Sequence, residues 1–149
     1  MKVVQPPTAP RGPRPWLFLA GSIEMGVASR WQDAVIDGLE DRSGTILNPR
    51  RSAWDSSWKQ SIDNPVFREQ VEWELASLEA ADQVAMYFDP TTRAPITLLE
   101  LGLVAASGKL VVACPDGYWR RGNVQVVCDR YRVPLLPDLP ALQTWLRRS

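Results

Sequence analysis

The stretch "PITLLELG" at residues 95–102 places one carboxylate, Glu100, among leucines and an isoleucine. On a helix, residues three and four apart share a face. The neighbours of Glu100 are then Ile96, Thr97, Leu103 and Val104, and no other charge follows before Lys109. A helix that is apolar nearly all round is a buried one. A carboxylate buried there is costly unless it is paired, hydrogen-bonded or protonated. Two readings stand on these residues. Glu100 is a structural glutamate satisfied by an arginine or a backbone amide, or it is a catalytic carboxylate. The eight residues alone favour the structural one.

A second carboxylate lies close by in sequence. The run "YFDPTTRAPITLLELG" puts Asp89 at the end of an apolar strand and Glu100 in the next element. Thr97 caps that helix or lies in its first turn, where free amides favour anions. Paired carboxylates at a cleft suit the cleavage of a glycosidic bond, one attacking or stabilising the sugar and another handling protons. The chain has no histidine, so Ser-His and Cys-His nucleophile pairs within one chain are excluded, as are histidine-ligated metals. Acid–base chemistry near neutral pH then leans on Asp and Glu. Cys114 and Cys128 are too few and too far apart for a zinc site and read as reduced core residues. No metal or cofactor is expected.

Length and charge narrow the classes further. The chain of 149 residues fits one domain, and its 45% apolar content is a globular value. Seventeen basic residues balance 17 acidic ones, which argues against a broad binder of nucleic-acid polymers. No apolar run approaches the length of a membrane span, and no secretory signal is visible. Cytoplasm is the default location.

The elements that must position these residues alternate. Residues 1–15 carry five prolines and read as a flexible arm, disordered or extended, ahead of a single domain over 16–149. "WLFLAG" and "GTILNP" are strands, and Val27, Trp31, Val35 and Leu39 set a helix between them. A helix starts near Asn64 or Pro65, with Val71, Leu75 and Leu78 as its inner stripe. "DQVAMYFD", "KLVVACP" and "VPLL" are further strands. The Glu100 helix, a helix from Val124 and the closing "DLPALQTWLRR" alternate with them. The expected fold is α/β: an open, mostly parallel sheet of about five strands with helices on both faces, Rossmann-like or flavodoxin-like.

Ligands of such sheets bind outside the carboxyl ends of the strands. Three loops therefore matter, after Ala20, after Asp89 and after Cys114. The first, "GSIEMG", brings Gly21 and Ser22 to a strand-to-helix turn of the kind that cradles phosphates. It is equally readable as a tight turn. The long loop "RRSAWDSSWKQSIDNP" reads as a lid. Its Trp54 and Trp58, with Trp73 and Trp119, are candidates to stack on a nucleobase or to pack in the core.

The order of "FLAGS", "WELASLEAADQVAMYFD", "PITLLELGLVAASGK" and a "GN" after the fourth strand resembles the nucleoside 2-deoxyribosyltransferase family, over roughly residues 16–136. The most specific piece is the run ELG-x-x-x-A-x-G-K. The resemblance implies cleavage of the N-glycosidic bond of deoxynucleosides, with transfer of the sugar to another nucleobase through a covalent glycosyl-glutamate. It puts Glu100 at the nucleophile, Glu74 at a second acidic position, Phe18 at the aromatic of the first strand, and Asn123 at an asparagine that reaches a neighbouring subunit's site. It therefore implies a homodimer or larger homo-oligomer, with nucleoside or nucleotide and nucleobase as small-molecule partners. The family's transferases hold an aspartate six residues before the nucleophile. Here that residue is Ala94, and Asp89 is the replacement offered by the altered loop. Two alternatives remain. One is an N-glycoside hydrolase of nucleoside 5′-monophosphates, with Thr97, Arg50, Arg51, Arg93 or Arg121 on the phosphate. The other is a non-catalytic nucleotide-sensing module.

Overall fold

Short apolar runs become the strands of one sheet in which every pairing is parallel. The computed structural model describes residues 1–23, 28–51, 55 and 57–149. Among these residues the sheet has six strands: β1 (Lys2–Val4), β2 (Trp16–Gly21), β3 (Thr45–Leu47), β4 (Gln83–Tyr87), β5 (Leu110–Ala113) and β6 (Leu135–Leu136). Their spatial order is β1-β3-β2-β4-β5-β6. The helices are α1 (Trp31–Asp37), α2 (Pro65–Ala80), α3 (Pro95–Val104), α4 (Arg121–Tyr131) and α5 (Leu139–Arg148).

Alternate residues of each strand face opposite layers. Phe18 and Ala20 of β2 join Val84 and Met86 of β4 in a core under α2, α3 and α4. Leu17 and Leu19 join Ala85 and Val111 in a second core under α1 and α5. Each large side chain so enclosed contributes about 2 kcal/mol by leaving water. Both sheet faces are covered, as an all-parallel sheet requires.

The sixth strand is the difference in strand number. β1 comes from the proline-rich arm and pairs with β3 from Lys2 opposite Thr45 to Val4 opposite Leu47. Its propensity is local and brief, and its strand character comes from the open edge of β3. The rest of the arm follows the fold. The Trp73 indole N–H donates to Thr8 O at 2.7 Å, and Thr45 Oγ1 donates to Pro13 O at 2.8 Å. The expectation of a flexible arm thus meets an extended segment laid on the domain.

Three helices differ from the sequence expectation. α1 starts only at Trp31. The Ser29 amide is taken by Asp89, and Arg50 holds the carbonyls of Ala28 and Ser29, so the groups that would extend the helix are engaged elsewhere. Val27 lies outside the described residues. α2 starts as expected, with the Asn64 side chain accepting from the Val66 amide and Pro65 in the first turn. Its buried residues, however, are Gln70, Trp73, Ser77 and Leu78. The Trp73 ring fills the inner face and leaves Val71 and Leu75 half-buried. α4 starts at Arg121 rather than Val124.

Lys109 explains part of the family-like motif in structural terms. Its ammonium donates to the carbonyls of Leu78, Glu79 and Ala81 at 2.8–3.0 Å. Those carbonyls lie in the last turn of α2 and just past it, where a cation is favoured by both hydrogen bonding and the helix dipole.

Candidate functional site

α3 is set by the turn that precedes it. Ala94 adopts a left-handed conformation, with φ 48°, which is unusual for a residue with a Cβ. The carbonyl before it, of Arg93, is held from two sides. Tyr118 Oη donates at 2.6 Å and the Trp119 indole N–H at 3.0 Å. The loop before α4 therefore fixes the entry to α3, a role the sequence did not suggest for Tyr118.

From that turn, Thr97, Glu100, Leu101 and Val104 face inward. Ile96, Leu99 and Leu103 face out, at 59%, 61% and 57% exposure. The expected fully buried helix is thus buried on one side only, because α3 has α2 and α4 as neighbours and nothing over its outer stripe among the described residues.

Glu100 has no ion-pair partner among the described residues. Neither the arginine nor the backbone amide expected for a structural glutamate meets it among the described residues. Burial raises its pKa to about 8, and the charge of Glu74 adds to that rise. Glu74, half-buried on α2, is also pushed up by burial, while a hydrogen bond from Gln70 opposes the shift. Carboxyl groups from α2 and α3 thus lie near enough for one charge to act on the other, and at neutral pH Glu100 favours its protonated form.

Gln70 was not singled out by sequence, although its spacing of four residues from Glu74 puts the two on one face. It is buried, and its Nε2 donates to Glu74 Oε1 at 2.8 Å and to Pro49 O at 3.1 Å. Its Oε1 accepts from Arg51 at 3.4 Å.

Asp89, Gly21 and Ser22 form a second group, at the carboxyl ends of β2 and β4. One Asp89 oxygen accepts from the amide and hydroxyl of Ser29, and the other from the amide and hydroxyl of Thr91. Burial works to raise the Asp89 pKa, but these four donors outweigh it and hold the carboxyl below its ordinary value. The Ser22 hydroxyl accepts from the Asp89 amide at 3.0 Å and from the Thr92 hydroxyl at 2.8 Å. Gly21 is required by close approach, since a Cβ there would lie 2.5 Å from Tyr87 O and 2.6 Å from the Trp31 ring. The polar atoms of this group are directed at one another and knit two loops together.

The remaining candidates are dispersed. Phe18 and Trp73 are buried 6.5 Å apart in the core beneath α2. Asn123 is exposed in a groove between α3 and α4, lined also by Leu98, Leu101, Gly102, Arg120 and Val127. Arg51 stacks over Trp58, while Arg121 donates to Cys114 O and pairs with Asp116. Arg93 and Arg120 both stack on the half-exposed Trp119 ring, at 5.2 and 4.4 Å, and neither has a carboxylate partner among the described residues. Trp54 and residues 24–26 of the "GSIEMG" loop lie outside the described residues. Among the described residues no helix is long and apolar enough to cross a membrane.

A poorly solvated carboxyl beside a second carboxyl can do two things. It can hold one shared proton, and once ionised it can attack an electrophilic carbon, because little water shields it. A protein-family model described as nucleoside 2-deoxyribosyltransferase like matches residues 14–118, a span that holds Glu74, Asp89 and Glu100 but not Asn123. No curated protein matches the chain.

Proposed function

The chain belongs to the nucleoside 2-deoxyribosyltransferase-like family, and from that premise we propose that it cleaves the N-glycosidic bond of a (deoxy)nucleoside and passes the sugar to another nucleobase. The observation that carries this reading is the Glu74/Glu100 pair, in which Glu100 is buried with no cation paired to it among the described residues. In the proposed reaction a Glu100 oxygen bonds to the anomeric carbon as the bond to the base nitrogen breaks. The electron pair of that bond leaves with the base. The proton carried by Glu100 goes to the base through Glu74, which leaves Glu100 ionised for attack. The incoming base then displaces Glu100, and its ring proton returns to the pair. Asp89 takes no proton in this scheme, because its four donors keep it ionised; it positions the loops bordering the site.

Support for Glu74 in this role comes from Ala94, which leaves no acid six residues before Glu100. Assembly into a homodimer or larger oligomer belongs to the same proposal. The outer stripe of α3 and the exposed Asn123 are the surfaces it would use.

The test is intact-mass analysis after incubation with a 2-fluoro-arabino nucleoside. The expected result is one sugar adduct, absent from Glu100→Gln. Turnover of an ordinary nucleoside without any adduct would overturn the covalent route. A second reading, hydrolysis of nucleoside 5′-monophosphates, is favoured by Arg93 and Arg120, whose guanidinium groups flank Trp119 beside the start of α3 and have no carboxylate partner among the described residues. Product analysis with a second base present separates the two. A new nucleoside means transfer, and free sugar phosphate means hydrolysis.

A further inference from the structure

We propose that Gln70 is a positioning residue for the carboxyl pair: its amide, oriented by Arg51 and by the Pro49 carbonyl, holds Glu74 where it faces Glu100. The proposal rests on the reading of that pair as the reactive centre.

The geometry leaves the amide one orientation. Nε2 meets two acceptors, Pro49 O at 3.1 Å and Glu74 Oε1 at 2.8 Å. Oε1 meets a donor, the Arg51 guanidinium, at 3.4 Å. Reversing the amide would set its oxygen against a carbonyl and a carboxylate and its NH2 against a cation, so the surrounding network fixes the orientation. Gln70 is 4% exposed, and water cannot readily replace these contacts.

The consequence lies in how the two carboxyls differ. Glu74 receives a donor from Gln70, and a donor to the ionised form favours ionisation. Glu100 receives no hydrogen bond among the described residues. Glu100, its pKa raised to about 8, therefore carries a proton at neutral pH in the free protein. Among the described residues, the charged groups facing the pair are the two carboxyls themselves and, across Gln70, Arg51 from the loop after β3. A neutral glutamine thereby transmits the influence of an arginine without making an ion pair, and Glu74 stays free to take up and release the proton.

The experiment is a carbon-13 NMR titration of the glutamate carboxyls in the full chain, with Glu100→Gln used for assignment. In Gln70→Leu, the Glu74 midpoint should rise by about one pH unit, the scale of one charge-assisted hydrogen bond. In Arg51→Met, which leaves Gln70 in place but frees its amide to turn, the rise should be smaller and in the same direction. A Glu74 midpoint unmoved in a Gln70→Leu protein that melts cooperatively would overturn the proposal. If Gln70→Leu does not fold, Arg51→Met decides alone, and no movement there overturns it. The titration needs no substrate, so failure of the glycosyl-transfer reading, seen as absence of adduct in the unmutated protein, is a separate result. Where turnover is measured, the acidic limb of its pH profile should move with the Glu74 midpoint.

Discussion

Ser29 donates twice to one oxygen of Asp89, from its backbone amide at 3.1 Å and its hydroxyl at 2.9 Å. This contact spans 60 residues of sequence and joins the loop after β2 to the loop after β4. Thr91 closes the other oxygen from the Asp89 side.

Asp89→Asn should therefore cost about 2 kcal/mol at pH 7, since an amide group puts an N–H where a donor already points. The effect should depend on pH. The folded pKa of Asp89 is depressed, so its stabilisation is present above the unfolded value and fades as pH falls through the folded one. Urea unfolding should show the two proteins well separated at pH 7 and drawing together as pH falls below the ordinary Asp value.

Glu100→Gln should act in the opposite sense. The folded pKa of Glu100 is raised to about 8, so ionising it costs stability as pH climbs from its unfolded value toward the folded one. The variant should be more stable than the parent by roughly 5 kcal/mol at pH 9 and about equal to it at pH 4. It should also form no sugar adduct. Stability gained together with reactivity lost would mark a strained functional group; a Glu100→Gln protein less stable at pH 9 would contradict the raised pKa.

Lys109→Met should lower stability by about 1–2 kcal/mol through the loss of three carbonyl partners at the end of α2. Activity per folded molecule should stay unchanged. Comparing melting temperature with turnover separates this structural part of the ELG-x-x-x-A-x-G-K run from its chemical part.

Gly21→Ala should destabilise by at least about 2 kcal/mol, because the new methyl meets the Tyr87 carbonyl and the Trp31 ring. Both neighbours are held in place, the indole by its bond to Ser22 O at 3.1 Å. Thermal unfolding of this variant measures the effect.

Charged substitutions on the outer stripe of α3 test the proposed assembly. Leu99→Lys with Leu103→Lys should leave the melting of the monomer nearly unchanged, since both side chains are more than half exposed. Sedimentation should show a larger species for the parent and a monomer for the double variant. A parent that sediments as a monomer would remove the stripe from the proposal.

Most of the fold was legible in the sequence because it is written in local patterns. The runs from "WLFLAG" to "VPLL" are apolar and bounded by turn residues, and α2 and α5 carry their own caps at Asn64 and Asp138. β1 was not legible, since three residues ahead of a proline pair acquire strand form only from the free edge of β3. Glu100 stood out as a lone charge in apolar surroundings. Gln70 did not, because a neutral amide leaves no mark in a charge pattern. The identity of Asp89 was readable, but its four donors were not. Two of them come from a residue far away in sequence. The open side of α3 was hidden for a related reason: an apolar residue carries no label saying whether a neighbour covers it.

The all-parallel sheet also bears on how the molecule comes into being. Parallel neighbours cannot be joined by a tight hairpin, so each pairing waits for an intervening crossover. Phe18 pairs in register with Val84, and that loop must close before either strand is covered. Such non-local topology folds more slowly than a helical bundle of the same size. During that interval the apolar strands are open to other chains. Glu74 and Glu100 come from α2 and α3, both packed on β2, so the two carboxyls are brought together only once the sheet has gathered those helices.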